Sequence, residues 1–244
     1  GKIFNCEGTV VSFQNGDVDF SALFATHFKK RSERARVLLA RLGLKGIAIF
    51  AGNLQYPFRD DNPYPFKVSP YFKCFLPGVE QPGAVLVLRS TGTALLHLPR
   101  KSDFWHAPPP EVFEEYTSVL DLHYCEDPLS LLLPEITSGG LALLGDLQGI
   151  ECESEASSYN AKTSIDYLDY HRSFKTDYEL ALMRQAHRRA AAAHVAASEA
   201  FYQGKSEYGI RQLYLEQLGD REVEQPYSAI IALNQNCAVL HSWT

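Results

Sequence analysis

The segment Arg59-Asp60-Asp61-Asn62-Pro63-Tyr64-Pro65-Phe66 sets two adjacent carboxylates among prolines and aromatics. An unpaired carboxylate is costly to bury, so such a pair belongs on an exposed loop. Two readings are open: a carboxylate presented to a cationic group, or an Asx-type turn ahead of Pro63. His241 follows Leu240 at the end of an apolar run, and a histidine there could serve as base, ligand or oxyanion donor. Asp103-Phe104-Trp105-His106 precedes a triple proline; such a loop either lines a pocket or plugs a sheet edge. His187 and His194 share one helix face. Their spacing corresponds to a rise of ~10.5 Å, too far for one ion to reach both through ~2.1 Å bonds, so both are expected to be packing or surface residues. Cys6, Cys74, Cys125, Cys152 and Cys237 are scattered and form no C-x-x-C. That pattern predicts reduced, buried thiols and neither a disulfide framework nor a structural zinc site. No G-x-S-x-G, P-loop, H-E-x-x-H or G-x-G-x-x-G occurs, so spacing alone names no activity.

Elements must hold these groups in place. Asp19 or Ser21 is placed to cap a helix in which Phe20, Leu23, Phe24, Phe28, Ala35, Leu38, Leu39 and Leu42 recur at helical spacing, with Gly43 as its stop. Lys29, Lys30, Arg31, Arg34, Arg36 and Arg41 lie between them and predict a solvated outer face, not a nucleic-acid or membrane contact. The run at 46–50 reads as a buried strand. Residues 52–82 are dense in turn formers and aromatics; 84–88 and 93–98 read as a hairpin around Ser90-Thr91-Gly92. Further strands are expected at 119–124 and 140–145, with a helix or turn between them running through Pro134. This alternation predicts an α/β layer domain. Thr176-Asp177-Tyr178-Glu179 is a capping box that opens a helix reaching Phe201. Gly204 ends it, and Ser206 caps a second helix to about Leu218, weakened by Gly209. Two strands are expected at 227–233 and 238–241, joined by Asn234-Gln235-Asn236.

At 244 residues the chain allows one large domain or two small ones. Its 45% apolar and 21% charged residues exclude extended disorder. A net charge of −6 leaves no basic footprint for nucleic acid. No apolar run approaches the ~20 residues that a bilayer requires, so a soluble protein with no membrane partner is expected. The chain opens on Gly1 and not on Met, which predicts processing or excision from something larger. No charged segment followed by an apolar run opens it, so no retained secretory signal is expected. No repeat with a period of 20–50 residues is visible.

Five segments then follow one another along the chain: Asp60-Asp61-Asn62-Pro63-Tyr64-Pro65-Phe66-Lys67-Val68-Ser69-Pro70, Asp103-Phe104-Trp105-His106, Tyr170-His171-Arg172-Ser173-Phe174-Lys175-Thr176, Gly204-Lys205-Ser206-Glu207, and Pro226-Tyr227-Ser228-Ala229-Ile230-Ile231-Ala232-Leu233-Asn234 leading to Leu240-His241. The series resembles the bacterial Xaa-Pro dipeptidases (prolidases) and their organophosphorus acid anhydrolase relatives over residues 20–241. The resemblance implies a tail at 1–18, a creatinase-like α/β domain with a mixed sheet at 19–168, and at 169–244 the beginning of an incomplete pita-bread (α+β) metallopeptidase domain. It implies hydrolysis of dipeptides with C-terminal proline by a hydroxide bridging two divalent metal ions, usually manganese, in a homodimer; the scattered cysteines add the expectation of a reducing cytoplasm. Asp61 matches the aspartate that closes the substrate pocket, Tyr227 and Leu240 match residues lining side-chain pockets, and His241 matches the catalytic histidine beside the metals. His106 matches a family motif without a catalytic role. The family's metal-binding aspartates follow a Leu-His-Tyr-Thr segment, and a histidine and glutamates come much later. This chain runs Leu240-His241-Ser242-Trp243-Thr244, so no metal ligand is expected in it and, alone, it is expected to be inactive. The alternative is a stand-alone, non-catalytic creatinase-like module that binds or dimerises.

Overall fold

The computed structural model describes residues 2–4, 10–12, 19–100, 112, 114–146 and 158–239. Contacts divide the chain into two units, Asp19–Thr176 and Gly1–Val18 with Asp177–Thr244. In the latter, β1 (Lys2–Phe4) and β2 (Val10–Ser12) pair antiparallel.

The unit Asp19–Thr176 begins with a cap. The Asp19 carboxylate accepts the Ala22 N–H at 3.0 Å, and α1 (Phe20–Leu42) follows. Gly43, at φ 66°, closes it in the left-handed conformation. Next come β3 (Gly46–Phe50), buried at every position, and a short α2 (Pro70–Phe75) inside the turn-rich stretch, started by Pro70 at its first position. Then follow β4 (Val85–Arg89), β5 (Ala94–Pro99), α3 (Glu114–Thr117) and β6 (Leu120–Cys125). Last in this unit are α4 (Pro128–Thr137), β7 (Leu141–Leu144), β8 (Ser158–Tyr159) and α5 (Lys162–Ser173). The sheet runs β6-β5-β4-β3-β7-β8. The β3–β4 and β4–β5 pairs are antiparallel; β5–β6, β3–β7 and β7–β8 are parallel, so the sheet is mixed. On one face Ala48, Phe50, Val85, Val87, Leu141 and Leu143 pack against Leu132 and Ile136 of α4. Strand alternation sends Ile47, Ile49, Leu86 and Leu88 to the other face, where α1 contacts β3 and β4. Each fully buried Leu or Ile contributes about 1.5–3 kcal/mol.

The basic stripe of α1 is only partly solvated. Lys29, Lys30 and Arg41 are exposed, but Arg31 and His27 are buried. Arg31 donates through Nη1 to His171 O (2.8 Å) and through Nη2 to Phe174 O (3.3 Å), and Arg34 donates to the same His171 oxygen at 2.8 Å. These carbonyls end α5, where intrahelical donors run out and a cation is favoured. Position 31 thus faces inward because a helix terminus there needs donors. His27 Nε2 lies 2.8 Å from Cys74 O, which can only accept, so Nε2 carries the proton and Nδ1 takes the Thr176 hydroxyl at 2.7 Å.

In the other unit α6 (Asp177–Tyr202) and α7 (Glu207–Leu218) pack together, burying Ala193 and Ala200 of α6 and Ile210 and Leu218 of α7. The Ser206 hydroxyl accepts the Gly209 N–H at 3.2 Å, so the glycine that weakens the helix interior also serves its cap. His187 and His194 are exposed, and His194 meets the Tyr214 ring edge-on at 5.3 Å. The strands expected after residue 226 do not form among the described residues. A 3-10 helix, Asn234–Ala238, stands there instead, with Asn234 at φ 51°. The Glu207 carboxylate accepts the Leu233 N–H (2.6 Å) and the Asn236 amide (3.0 Å), supplying the partner that a neighbouring strand would otherwise provide. Among the described residues no helix is long and apolar enough to cross a membrane.

Candidate functional site

The loop carrying Asp61 leaves the sheet at the end of β3 and is tied at its base. Ala51 N–H donates to Ala84 O (2.9 Å), Gly83 N–H to Gly52 O (2.7 Å) and Ser69 N–H to Ala51 O (2.8 Å). Gly52, at φ 102°, makes the exit in a conformation that a side chain would resist. Further out, Tyr64 N–H donates to Gln55 O at 2.8 Å, so the loop returns on itself. Arg59 adopts φ 60°, and the Asp60 carboxylate accepts the Asn62 N–H at 2.9 Å. The two readings of the aspartate pair therefore separate: Asp60 makes the Asx turn, and Asp61 stands exposed with no hydrogen bond or ion pair among the described residues. Beside it Phe58 is 94% exposed, and Tyr56 and Tyr64 are also largely open to solvent.

Tyr227 is 79% exposed and belongs to the second unit, in an irregular stretch where the Arg211 guanidinium donates to Ala229 O at 3.3 Å. Leu240, His241 and His106 lie outside the described residues. Among the described residues Cys74 and Cys125 are half-buried and Cys237 is exposed, so these three cysteines are not the buried ones expected.

One cluster has no counterpart in the cysteine or histidine spacing. His97 of β5 and His123 of β6 are register partners, with Nδ1 atoms 3.1 Å apart, and Cys125 lies two residues beyond His123. Burial first, then the facing His123 and Arg89, hold His97 below the ordinary imidazole range, so it is neutral near pH 7. Manganese prefers carboxylate and water oxygens. Among the described residues the one group of three side chains close enough to share an ion is this nitrogen and sulfur set. The described residues therefore do not fit the two-manganese centre that the resemblance implies.

Residues 22–170 match the family model for the Xaa-Pro dipeptidase N-terminal domain. The chain belongs to the Xaa-Pro dipeptidase family. Residues 181–244 match a second model, metallopeptidase family M24. An Xaa-Pro dipeptidase from Escherichia coli (strain SMS-3-5) is 40% identical over 226 residues, covering 91% of this chain and 51% of the relative. One from Shigella flexneri serotype 5b is 41% identical over the same length and coverage. The chain thus spans about half the length of the curated Xaa-Pro dipeptidases it matches. The structure of aminopeptidase P from E. coli in its low-pH form shares the fold, with a TM-score of 0.52 at 17% identity over 79% of this chain and 49% of that one. The fold expected from the resemblance holds: an α/β domain on a mixed sheet, followed by the start of the pita-bread metallopeptidase domain.

Proposed function

We propose that this chain is the N-terminal part of a metal-dependent Xaa-Pro dipeptidase that hydrolyses dipeptides ending in proline. One observation carries the reading: 40% identity to an Xaa-Pro dipeptidase, sustained over 91% of the chain. In that enzyme Asp61 receives the dipeptide's ammonium group, Tyr227 and Leu240 line the side-chain pockets, and His241 assists the carbonyl under attack. The exposed, unpaired Asp61 on a loop tied at its base supports the first of these roles. The exposed Phe58 supports a loop that meets another surface, which we assign to the second subunit of a cytoplasmic homodimer. Domain limits of 19–168 and 169–244, after a tail at 1–18, are supported by family matches that end at residue 170 and resume at 181. In the full-length parent two divalent ions, proposed as manganese, would supply the activation of water. The full-length parent, assayed with manganese, is expected to cleave Leu-Pro and to leave tripeptides with a central proline intact. Preferential cleavage of the tripeptides would overturn the dipeptidase reading. The purified 244-residue chain is expected to cleave neither.

A further inference from the structure

We propose that His97, His123 and Cys125 form a site for one borderline-soft divalent cation, zinc above all, on the face of the sheet that α4 covers. The register builds it. Parallel pairing of β5 with β6 sets His97 opposite His123 and Pro99 opposite Cys125. Strand alternation points His123 and Cys125 to one side. That side is the one bearing Val85, the register partner of His97 and a member of the core that packs on α4.

The ligand atoms of the three residues all lie within 4.8 Å of one another. The Nδ1 atoms, 3.1 Å apart, sit close to the ~3.3 Å that two ~2.05 Å bonds at a tetrahedral angle require. His97 is 4% exposed, and its Nε2 has no hydrogen-bond partner among the described residues, so nothing outside the cluster orients the ring through that atom. His123 is exposed and Cys125 half-buried, which leaves an entry path and a fourth position for water. Two imidazoles with a thiolate select zinc over magnesium or manganese. On binding, the Cys125 proton passes to solvent, and the ring whose Nδ1–H makes the contact between the two imidazoles shifts that proton to its own Nε2, so that both Nδ1 lone pairs face the ion. The site lies within the unit Asp19–Thr176 and is independent of the dipeptidase reading.

The test is titration of the full chain with cobalt(II), then competition by zinc. The expected result is one equivalent of cobalt bound, with a thiolate-to-cobalt charge-transfer band in the near ultraviolet and tetrahedral bands in the visible. Cys125→Ser should abolish the charge-transfer band. His123→Ala, which removes an exposed side chain and so spares the fold, should weaken zinc binding about 100-fold or more, since even the loss of an outer partner costs 10–100-fold. Manganese in about tenfold excess should not displace the cobalt. A folded chain with no such band at stoichiometric cobalt would overturn the site. So would a band that survives Cys125→Ser, which would place the ligand at another thiol.

Discussion

Asp60 turns its carboxylate onto the Asn62 amide, and that contact leaves the neighbouring Asp61 without an intramolecular partner among the described residues. Two carboxylates adjacent in sequence thereby acquire different work. A charge-assisted contact between Asp61 and a dipeptide's ammonium is worth roughly 1.5–3 kcal/mol, or ~10–150-fold in affinity. Asp61→Asn in the full-length parent is therefore expected to lower kcat/KM for Leu-Pro by about that factor, with the thermal midpoint unchanged. Unchanged kinetics with a lost midpoint would make Asp61 a structural residue. Glu135 offers a contrasting carboxylate. It forms a bidentate pair with Arg89, one arm at 2.9 Å, and that pairing holds its carboxyl below the ordinary range. A lowered folded pKa means the pair's stabilisation is full above the unfolded value near pH 4.3 and fades as pH falls through the lower folded value. The pair is partly solvated, so its share is about 0.5–1 kcal/mol after screening. Glu135→Gln is expected to remove it at pH 7, and urea midpoints of the two proteins should converge toward pH 3.

Helices and strands in this chain are held at their ends by distant side chains. Arg31 and Arg34 of α1 reach the last carbonyls of α5, and Arg189 of α6 donates to Leu218 O, at the end of α7, at 2.6 Å. Each contact satisfies orphan acceptors that the helix itself cannot. Arg31→Met keeps the apolar stem but strands those carbonyls, with Arg34 still serving one of them; a loss of about 2 kcal/mol in urea unfolding is expected. A gain in stability would show that the buried guanidinium costs more than its hydrogen bonds return. At the far end of β7, Gly145 sits at φ 128°, and a Cβ there would stand 3.0 Å from Phe50 Cβ and Phe50 O. Gly145→Ala is expected to cost about 1–3 kcal/mol, because neither the backbone conformation nor the β3 main chain can yield cheaply. A thermal midpoint equal to that of the wild type would refute this.

Across the whole molecule, burial is uneven. β3 and β7 are buried at every position, whereas the 26-residue α6 buries Tyr178, Ala193 and Ala200. Resistance to local opening follows buried apolar contacts, so amides of β3 and β4 should exchange at least about tenfold more slowly than those of α6 and α7. Equal protection in the isolated chain would contradict this. The same unevenness separates what was legible in the sequence. The limits of α1, the β4–β5 hairpin and the start of α7 follow from Asp19, Gly43, Ser90-Thr91-Gly92 and Ser206, whose hydrogen bonds and backbone preferences act within a few residues. Asp61 stood out for the same reason, since prolines and paired carboxylates mark an exposed loop wherever they occur. Which aspartate would make the turn was decided only in the folded loop, where Asp60 accepts the Asn62 N–H. The inward turn of Arg31 depended on the last turn of α5, whose His171 carbonyl lies 140 positions later in the chain. The irregular stretch after Pro226 depended on Glu207 meeting Leu233 and Asn236. His97 met His123 through a parallel register that no short-range spacing encodes. Local hydrogen bonding and steric preference are written in neighbouring residues; the pairing of distant donors, acceptors and ligands exists only once the sheet and helices have closed on one another.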